Sequence, residues 1–172
     1  TLVSYIGGSA QGGKLMTNES AYWTFLAGAN DYGFNLRGAG GRFTENDGVT
    51  GFQGIKLYSG LWSSYNGAQP GLKLRTLNAS YDALTAYTNF KYTGHSVRLI
   101  KDDLVDTGIM TGTDNLIYRT VTIGTQVWMS ENYQSKKYRN GEDIIEEQNH
   151  AAWISAIVGR WCAYNNDEAT YK

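Results

Sequence analysis

The sequence contains few of the residues that catalysis, metal binding and disulfide networks require. Its 172 residues include one cysteine, Cys162, and two histidines, His95 and His150. His95 lies inside the predicted closing strand, within Gly94-His95-Ser96-Val97, which favours a structural residue over a catalytic base. No Ser-His-Asp arrangement can be nominated, and there is no Gly-x-Ser-x-Gly elbow. We therefore predict that the protein is not an enzyme and needs no cofactor other than, at most, calcium.

The sequence also lacks clustered positive charge and long apolar runs. The net charge is −1, and Lys and Arg form no basic stripe. Because phosphate neutralisation needs clustered Lys and Arg, we predict no nucleic-acid partner. No apolar run approaches the length of a bilayer span, so we predict no membrane span in this segment.

Glycine and aromatic residues are abundant instead. The chain has 21 Gly, 13 Tyr and 5 Trp but only one Pro. Glycine supplies turns and close backbone approaches, and Tyr and Trp supply amphipathic surface at low entropic cost. This composition fits a loop-rich extracellular binding domain and, equally, a β-rich domain with many turns.

The motifs of the chain come in an unusual order. Residues 118–132 are typical of the opening of a domain, yet they follow residues 94–102, which are typical of a closing strand. The opening set comprises Tyr118, Val121, Ile123-Gly124, Gln126, Trp128-Met129, Glu131-Asn132, Tyr138, Gly141, Trp153 and residues 161–169. The closing set comprises Gly7-Gly8, residues 12–15, Gly33-Phe34, residues 40–42, residues 62–64 and Ser96-Val97-Arg98.

Together these motifs resemble the Fibrobacter succinogenes major paralogous domain family, which is common in bacterial surface and secreted proteins. The resemblance implies an α+β, C-type-lectin-like fold, rich in strands, with short helices and long loops. It divides the chain into a closing half (1–103), a linker (104–116) and an opening half (117–172) of the next repeat or of a permuted domain. The family's helical segment between the Glu168-Ala169 and Gly7-Gly8 motifs is absent here.

The inverted order predicts that halves from neighbouring repeats or subunits complete each domain. Strands Tyr118–Ile123 and Ser96–Ile100 would then be unpaired edges, which invite pairing with another chain. Head-to-tail contacts of this kind do not close and would generate a filament. The alternative is a permuted domain in which both strands pair internally.

The stretch from Ser63 to Tyr92 is the predicted recognition surface. Aromatic faces stack on sugar rings or pack on proteins, and amides fix the orientation of a ligand through hydrogen bonds. The predicted ligand-binding residues are Tyr65, Asn66, Asn78, Tyr81, Asp82, Tyr87, Asn89 and Tyr92. The alternative is that half of these rings belong to the core.

Residues 165–168 form the best candidate calcium site. Calcium takes six to eight oxygen ligands, and Asn165, Asn166, Asp167 and Glu168 cluster such oxygens. The alternative is a turn followed by a helix cap, because Asn and Asp bond their own backbone.

Four local features complete the predictions. A helix is expected to end at Thr1–Ile6, and a second to run from His150 to Val158 with Asn149 as its N-cap and Trp153 and Ile157 on one face. The glycine cluster 38–41 is expected to turn the chain. Cys162 is either a buried small hydrophobe, which we prefer, or half of a disulfide.

We therefore expect a non-catalytic, secreted or cell-surface repeat module that builds an extracellular fibre or adhesin and binds glycan or protein ligands. The alternative is a bacteriophage fibre or receptor-binding protein with the same lectin-like fold. An enzyme related to sulfatase-modifying proteins is the weakest hypothesis, because the paired cysteines of those relatives are missing.

Overall fold

The computed structural model describes residues 1–24, 28–44, 50–63, 71–78, 81–90, 92–102 and 105–171, with backbone alone at 71–78, 81–82 and 87–89. Two short helices are present in these ranges, α1 (Leu2–Tyr5) and α2 (His150–Ser155), with 3-10 turns at Ser9–Lys14, Ser20–Tyr22 and Tyr164–Asn166. The strands are β1 (Ala39–Phe43), β2 (Gly51–Ile55), β3 (Tyr58–Trp62), β4 (Gly71–Asn78), β5 (Tyr81–Phe90), β6 (Ile100–Lys101), β7 (Ile109–Thr111), β8 (Ile117–Ile123), β9 (Gln126–Met129), β10 (Ile145–Glu146) and β11 (Arg160–Trp161). The predicted strand-rich α+β class is confirmed.

The larger sheet has the strand order β2-β1-β3-β4-β5. β1 pairs antiparallel with β2 and parallel with β3, and the remaining neighbours are antiparallel. The expectation that glycines 38–41 turn the chain is wrong, because β1 begins at Ala39. These glycines serve close approach instead: a Cβ on Gly38 would lie 2.7 Å from the Cα of Lys56.

A second, four-stranded sheet, called the smaller sheet below, has the strand order β6-β9-β8-β7, and β10 and β11 form a separate parallel pair. β8 lies between β7 and β9, and β6 pairs with β9 through Ile100–Trp128 and Lys101–Val127. The two strands that were expected to be unpaired edges therefore have partners within the chain. They are not available for the head-to-tail pairing that would build a filament. Residues 109–111 of the predicted linker form the edge strand β7.

The N-terminal and C-terminal segments share one hydrophobic core. Its buried members are Ile6, Leu15, Met16, Trp23, Phe34, Leu36, Leu61, Leu84 and Ile123. Ile123 comes from β8, and Trp128 of β9 packs edge-on against Phe34 with ring centroids 5.8 Å apart. Residues 117–129 thus cover the apolar side of the N-terminal segment.

A buried arginine reinforces this contact. Arg98 donates hydrogen bonds to the carbonyl oxygens of Phe34 and Asn35 and, from Nε, to Oδ1 of Asn132 at 3.0 Å. Asn132 in turn donates from Nδ2 to the Ser96 hydroxyl at 3.1 Å. Burial lowers the pKa of Arg98 to about 9, so the side chain is still a cation at neutral pH.

The second helix begins where predicted but ends earlier. Asn149 caps α2, its Oδ1 accepting from the Ala152 amide at 3.0 Å, as the sequence predicted. The helix ends at Ser155 and does not reach Val158, and Ile157 is 97% exposed, so its predicted packing beside Trp153 is wrong. The chain leaves the helical path at Ala156, whose backbone is extended, and further along the Gly159 carbonyl accepts a hydrogen bond from Tyr138.

α1 confirms the predicted N-terminal helix, which stops at Gly7-Gly8 with both glycines at positive φ. Among the described residues, the helices are too short and too polar to span a bilayer.

Candidate ligand-binding face

Four half-buried rings lie together on one face of the larger sheet. Phe43 comes from β1, Tyr58 and Trp62 from β3, and His95 from the segment that follows β5. The His95 ring meets the other three edge-on, with centroid distances of 5.6 Å to Phe43, 5.3 Å to Trp62 and 6.4 Å to Tyr58. We call these four residues the aromatic face.

Glycines beneath the rings make this arrangement possible. A Cβ on Gly41 would lie 2.7 Å from Cε1 of His95, and a Cβ on Gly60 would lie 2.6 Å from its Nδ1. A Cβ on Gly54 would likewise overlap the Tyr58 ring. The rings therefore lie directly on the backbone of the sheet, and no larger residue at these glycines would leave them in place.

His95 is held by pairing on both sides. Gly94 exchanges backbone hydrogen bonds with Arg42 at 2.8 and 2.9 Å, and the Ser96 carbonyl accepts from the Trp62 amide at 3.2 Å. The segment is thus extended and paired like a strand, in keeping with the structural role that the sequence favoured for His95.

Strand register connects the aromatic face to the predicted recognition surface. Tyr58 is opposite Asn78 on β4, which is opposite Tyr81 on β5. In a second cross-strand row, Trp62 is opposite Leu74, which is opposite Tyr87. Cross-strand neighbours lie about 5 Å apart, so these positions of β4 and β5 belong to the same two rows as Tyr58 and Trp62.

The remaining predicted residues have different positions. Asn89 is on β5 opposite Leu72, and Asp82 follows Tyr81 on the same strand. Tyr65 and Asn66 lie outside the described residues. Tyr92 is half-buried and stacks on Phe90, with centroids 5.1 Å apart and planes at 7°.

The sequence prediction missed all four residues of the aromatic face. The signal that could have found them is the alternation Tyr58-x-Gly60-x-Trp62 on β3 and Gly41-x-Phe43 on β1. Residues two apart on a strand share a face, so each glycine leaves room beside a ring. What the pattern does not contain is His95, which reaches the glycines from a distant part of the chain.

Arg42 occupies the position between Gly41 and Phe43 and belongs to the opposite side of β1. Its guanidinium donates to the carbonyl oxygens of Glu147 at 2.6 Å and Gln148 at 3.0 Å. It also lies 4.4 Å over the Trp153 ring. The C-terminal segment therefore covers this side of β1, whereas the aromatic face lies on the other.

Cys162 is a half-buried free thiol beside Arg42. Burial raises the pKa of this thiol, and a hydrogen bond with Arg42 lowers it in part. The net shift is upward, so the sulfur is protonated at neutral pH. The choice between a small buried residue and half of a disulfide stays a prediction.

Residues 165–168 are engaged in local interactions. Asn165 and Asn166 have positive φ in a 3-10 turn, and Asp167 Oδ1 accepts from the Thr170 amide at 3.1 Å. Hydrogen bonds from the side chain and the amide of Thr170 lower the pKa of Asp167. Glu168 pairs with Lys136 at 2.7 Å. Within the described ranges, no three His, Cys, Asp or Glu side chains form a metal-binding group. The geometry corresponds to the turn-and-cap alternative, and calcium binding stays a prediction.

No family model, no curated protein and no solved structure matches this chain.

Proposed function

We propose that the protein is a non-catalytic binding module of a secreted or cell-surface protein, with a C-type-lectin-like fold. Its ligand, a glycan or a protein, binds on the aromatic face and on the rows that continue it across β4 and β5. One observation carries the proposal: half-buried rings of Phe43, Tyr58, Trp62 and His95 lie fixed on a glycine-rich sheet.

Rigidity of the rings supports a binding role. A ring that packs edge-on against its neighbours and rests on backbone has little freedom to lose when a ligand binds. Aromatic residues also offer a large contact area for their few rotatable bonds. A sugar ring or an apolar protein side chain can stack on such a surface without reorganising it.

Contacts between the two motif sets support the lectin-like fold and the permuted arrangement. Arg98 of the closing set bonds Asn132 of the opening set, and Phe34 packs on Trp128. Arg42 stacks on Trp153. Motif residues of both halves therefore meet within one chain, as one domain with its halves in reversed order would require.

The environment of His95 supports a non-catalytic role. Three aromatic rings surround the imidazole edge-on, and glycine backbone lies beneath it. A general base needs hydrogen-bond reach to a reacting group, and packing of this kind restricts that reach. The aromatic face is therefore suited to stacking contacts with a ligand.

A glycan array and a pull-down from surface extracts test the proposal. Trp62→Ala should abolish the binding that the unmodified protein shows. Tyr171→Ala is the matched control, since Tyr171 is a half-buried aromatic residue packed on Tyr164, away from the aromatic face. Equal melting temperatures must accompany the comparison. Full binding by a folded Trp62→Ala protein would overturn the proposed site.

A further inference from the structure

β7 is an open edge of the smaller sheet. Among the residues that the structure describes, no strand lies beside its outer side, since the order is β6-β9-β8-β7. Residues 105–109 and Thr111 are all exposed. The edges of the larger sheet differ in this respect, because Phe52 of β2 packs on Tyr164 and residues Ser9–Lys14 lie against β5.

The hydrogen-bond pattern fixes which backbone groups of β7 point outward. Gly108 and Gly112 bond β8 through Thr120 and Leu116, and Met110 is opposite Tyr118. In an antiparallel pair, alternate residues direct both N–H and C=O toward the partner strand. Ile109 and Thr111 therefore direct theirs away from β8. Among the described residues, these outward groups receive one hydrogen bond, from the Thr107 hydroxyl to the Ile109 carbonyl at 3.0 Å.

Apart from its length of three residues, the edge carries none of the features that normally prevent pairing. Residues 108–113 contain no charge and no proline, and the register of β7 with β8 is regular. Beside the edge, Ile109 is 47% exposed and Ile117, opposite Thr111, is 65% exposed. Exposed, uncharged edge strands with apolar side chains are templates for strand addition.

We propose that β7 is a dimerisation strand, and that its partner is β7 of a second copy, paired antiparallel about a two-fold axis through Met110. This register places Ile109 opposite Thr111 of the partner subunit, and Thr111 opposite Ile109 of the partner subunit. Each of these pairs exchanges both backbone hydrogen bonds, so the outward groups of one copy satisfy those of the other.

Self-complementarity selects a second copy over an unrelated peptide. A three-residue strand with two outward residues, symmetric about its centre, matches its own reversed copy without a register shift. The arrangement also keeps charges apart. Each of its two symmetry-related rows runs from Arg119 and Ile109 of one copy to Thr111 of the partner subunit and Ile117 of the partner subunit, and contains one cation. A two-fold contact is isologous and closes as a dimer, unlike the filament that the sequence order suggested.

The contact is small, so the dimer is weak. Stable interfaces bury about 1,600 Å² in total, and two three-residue strands with a few isoleucines contribute less than that. The association is therefore concentration-dependent, with monomer and dimer in fast exchange.

Sedimentation velocity of the full chain over a wide concentration range tests this inference. Ile109→Lys adds two charges to the seam and should raise the dissociation constant roughly tenfold or more. Ile157→Lys makes the same change at a fully exposed isoleucine elsewhere and should leave association unchanged. Thr111→Pro removes only an outward N–H, so it should weaken the dimer while preserving the β7–β8 pairing.

Oxidative cross-linking tests the register. In the proposed pairing, the two Met110 residues form a non-hydrogen-bonded pair with Cα atoms about 4.5 Å apart, which a disulfide can span. Met110→Cys should cross-link, whereas Ile117→Cys, one strand further from the axis, should not. A monomer at every concentration, an association unaffected by Ile109→Lys and Thr111→Pro, or open-ended oligomers would each overturn the inference. None of these outcomes depends on the glycan test.

Discussion

Nε of Arg98 donates a 3.0 Å hydrogen bond to Oδ1 of Asn132, joining two parts of the chain that the sequence assigned to different domain halves. The same guanidinium binds the Phe34 and Asn35 carbonyls. Three separate segments therefore meet at one buried cation, whose charge is stabilised by the carbonyl and amide oxygens that accept its hydrogen bonds.

Arg98→Met should destabilise the protein by about 2–4 kcal/mol, because it leaves two buried carbonyls and an amide without donors. Chemical denaturation measures the change in free energy of unfolding. Arg119→Met is the control: its side chain is 80% exposed and lies 3.8 Å from Glu131, so its loss should cost less than about 1 kcal/mol. Equal costs for the two variants would show that Arg98 does not hold the segments together.

Removing the carboxylate of Asp106 should make the stability of the protein depend less on pH in the acid range. Hydrogen bonds from Thr120, Gly108 and Thr122 lower the pKa of Asp106 in the folded protein. A carboxyl group with a depressed folded pKa contributes stability above its unfolded pKa of about 3.9, and this contribution is lost as pH falls through the folded value. Because Asp106 is exposed, the effect is small.

Thermal melts of Asp106→Asn between neutral and strongly acidic pH should therefore be flatter than those of the unmodified protein. Asp31→Asn, a change at an exposed aspartate in a turn, should leave the acid dependence as it was. If Asp106→Asn melts with the original pH profile, its hydrogen bonds to Thr120 and Thr122 do not contribute to stability.

Gly60→Ala should disturb the aromatic face by displacing His95. The added methyl group would lie 2.6 Å from Nδ1 of the imidazole, and overpacking of this kind costs about 1–3 kcal/mol. In a His95→Ala background the space is free, so the same substitution should cost much less. Urea denaturation of the two single variants and the double variant measures the coupling. Additive effects would show that the ring does not rest on Gly60.

Cys162 should react slowly with thiol reagents at neutral pH. Burial raises its pKa, and the thiolate is the reactive form. Labelling by an aromatic disulfide reagent should be fast only after denaturation. Arg42→Met should slow the native reaction further by removing the group that partly lowers the thiol pKa, provided that the variant is folded. Rapid native labelling would contradict the buried, protonated thiol.

Local chemistry predicted the parts of the fold that depend on neighbouring residues. The cap at Asn149 and the alternation of residues 118–123 are such features, and both are present. The end of α2 was missed because the backbone becomes extended at Ala156, before the stop expected at Gly159. The spacing of Trp153 and Ile157 contains no sign of that change.

Glycine was the main source of error. The residue is common both in turns and where another group approaches the backbone, and the sequence around 38–41 does not distinguish the two. The same ambiguity concealed the aromatic face, where the His95 ring lies directly against Gly41 and Gly60. β7 was assigned to a linker because three uncharged residues among Asp, Gly and Thr give too short a pattern to identify a strand.

The most direct test of the binding site is an NMR titration that follows the five tryptophan indole N–H signals as a glycan or protein identified by the array or pull-down is added. We expect the Trp62 signal to shift with saturation, while that of buried Trp153, bonded to the Tyr92 carbonyl at 2.6 Å, stays in place. Trp62→Phe assigns the signal. Saturable binding that leaves the Trp62 signal unmoved would contradict the proposed face.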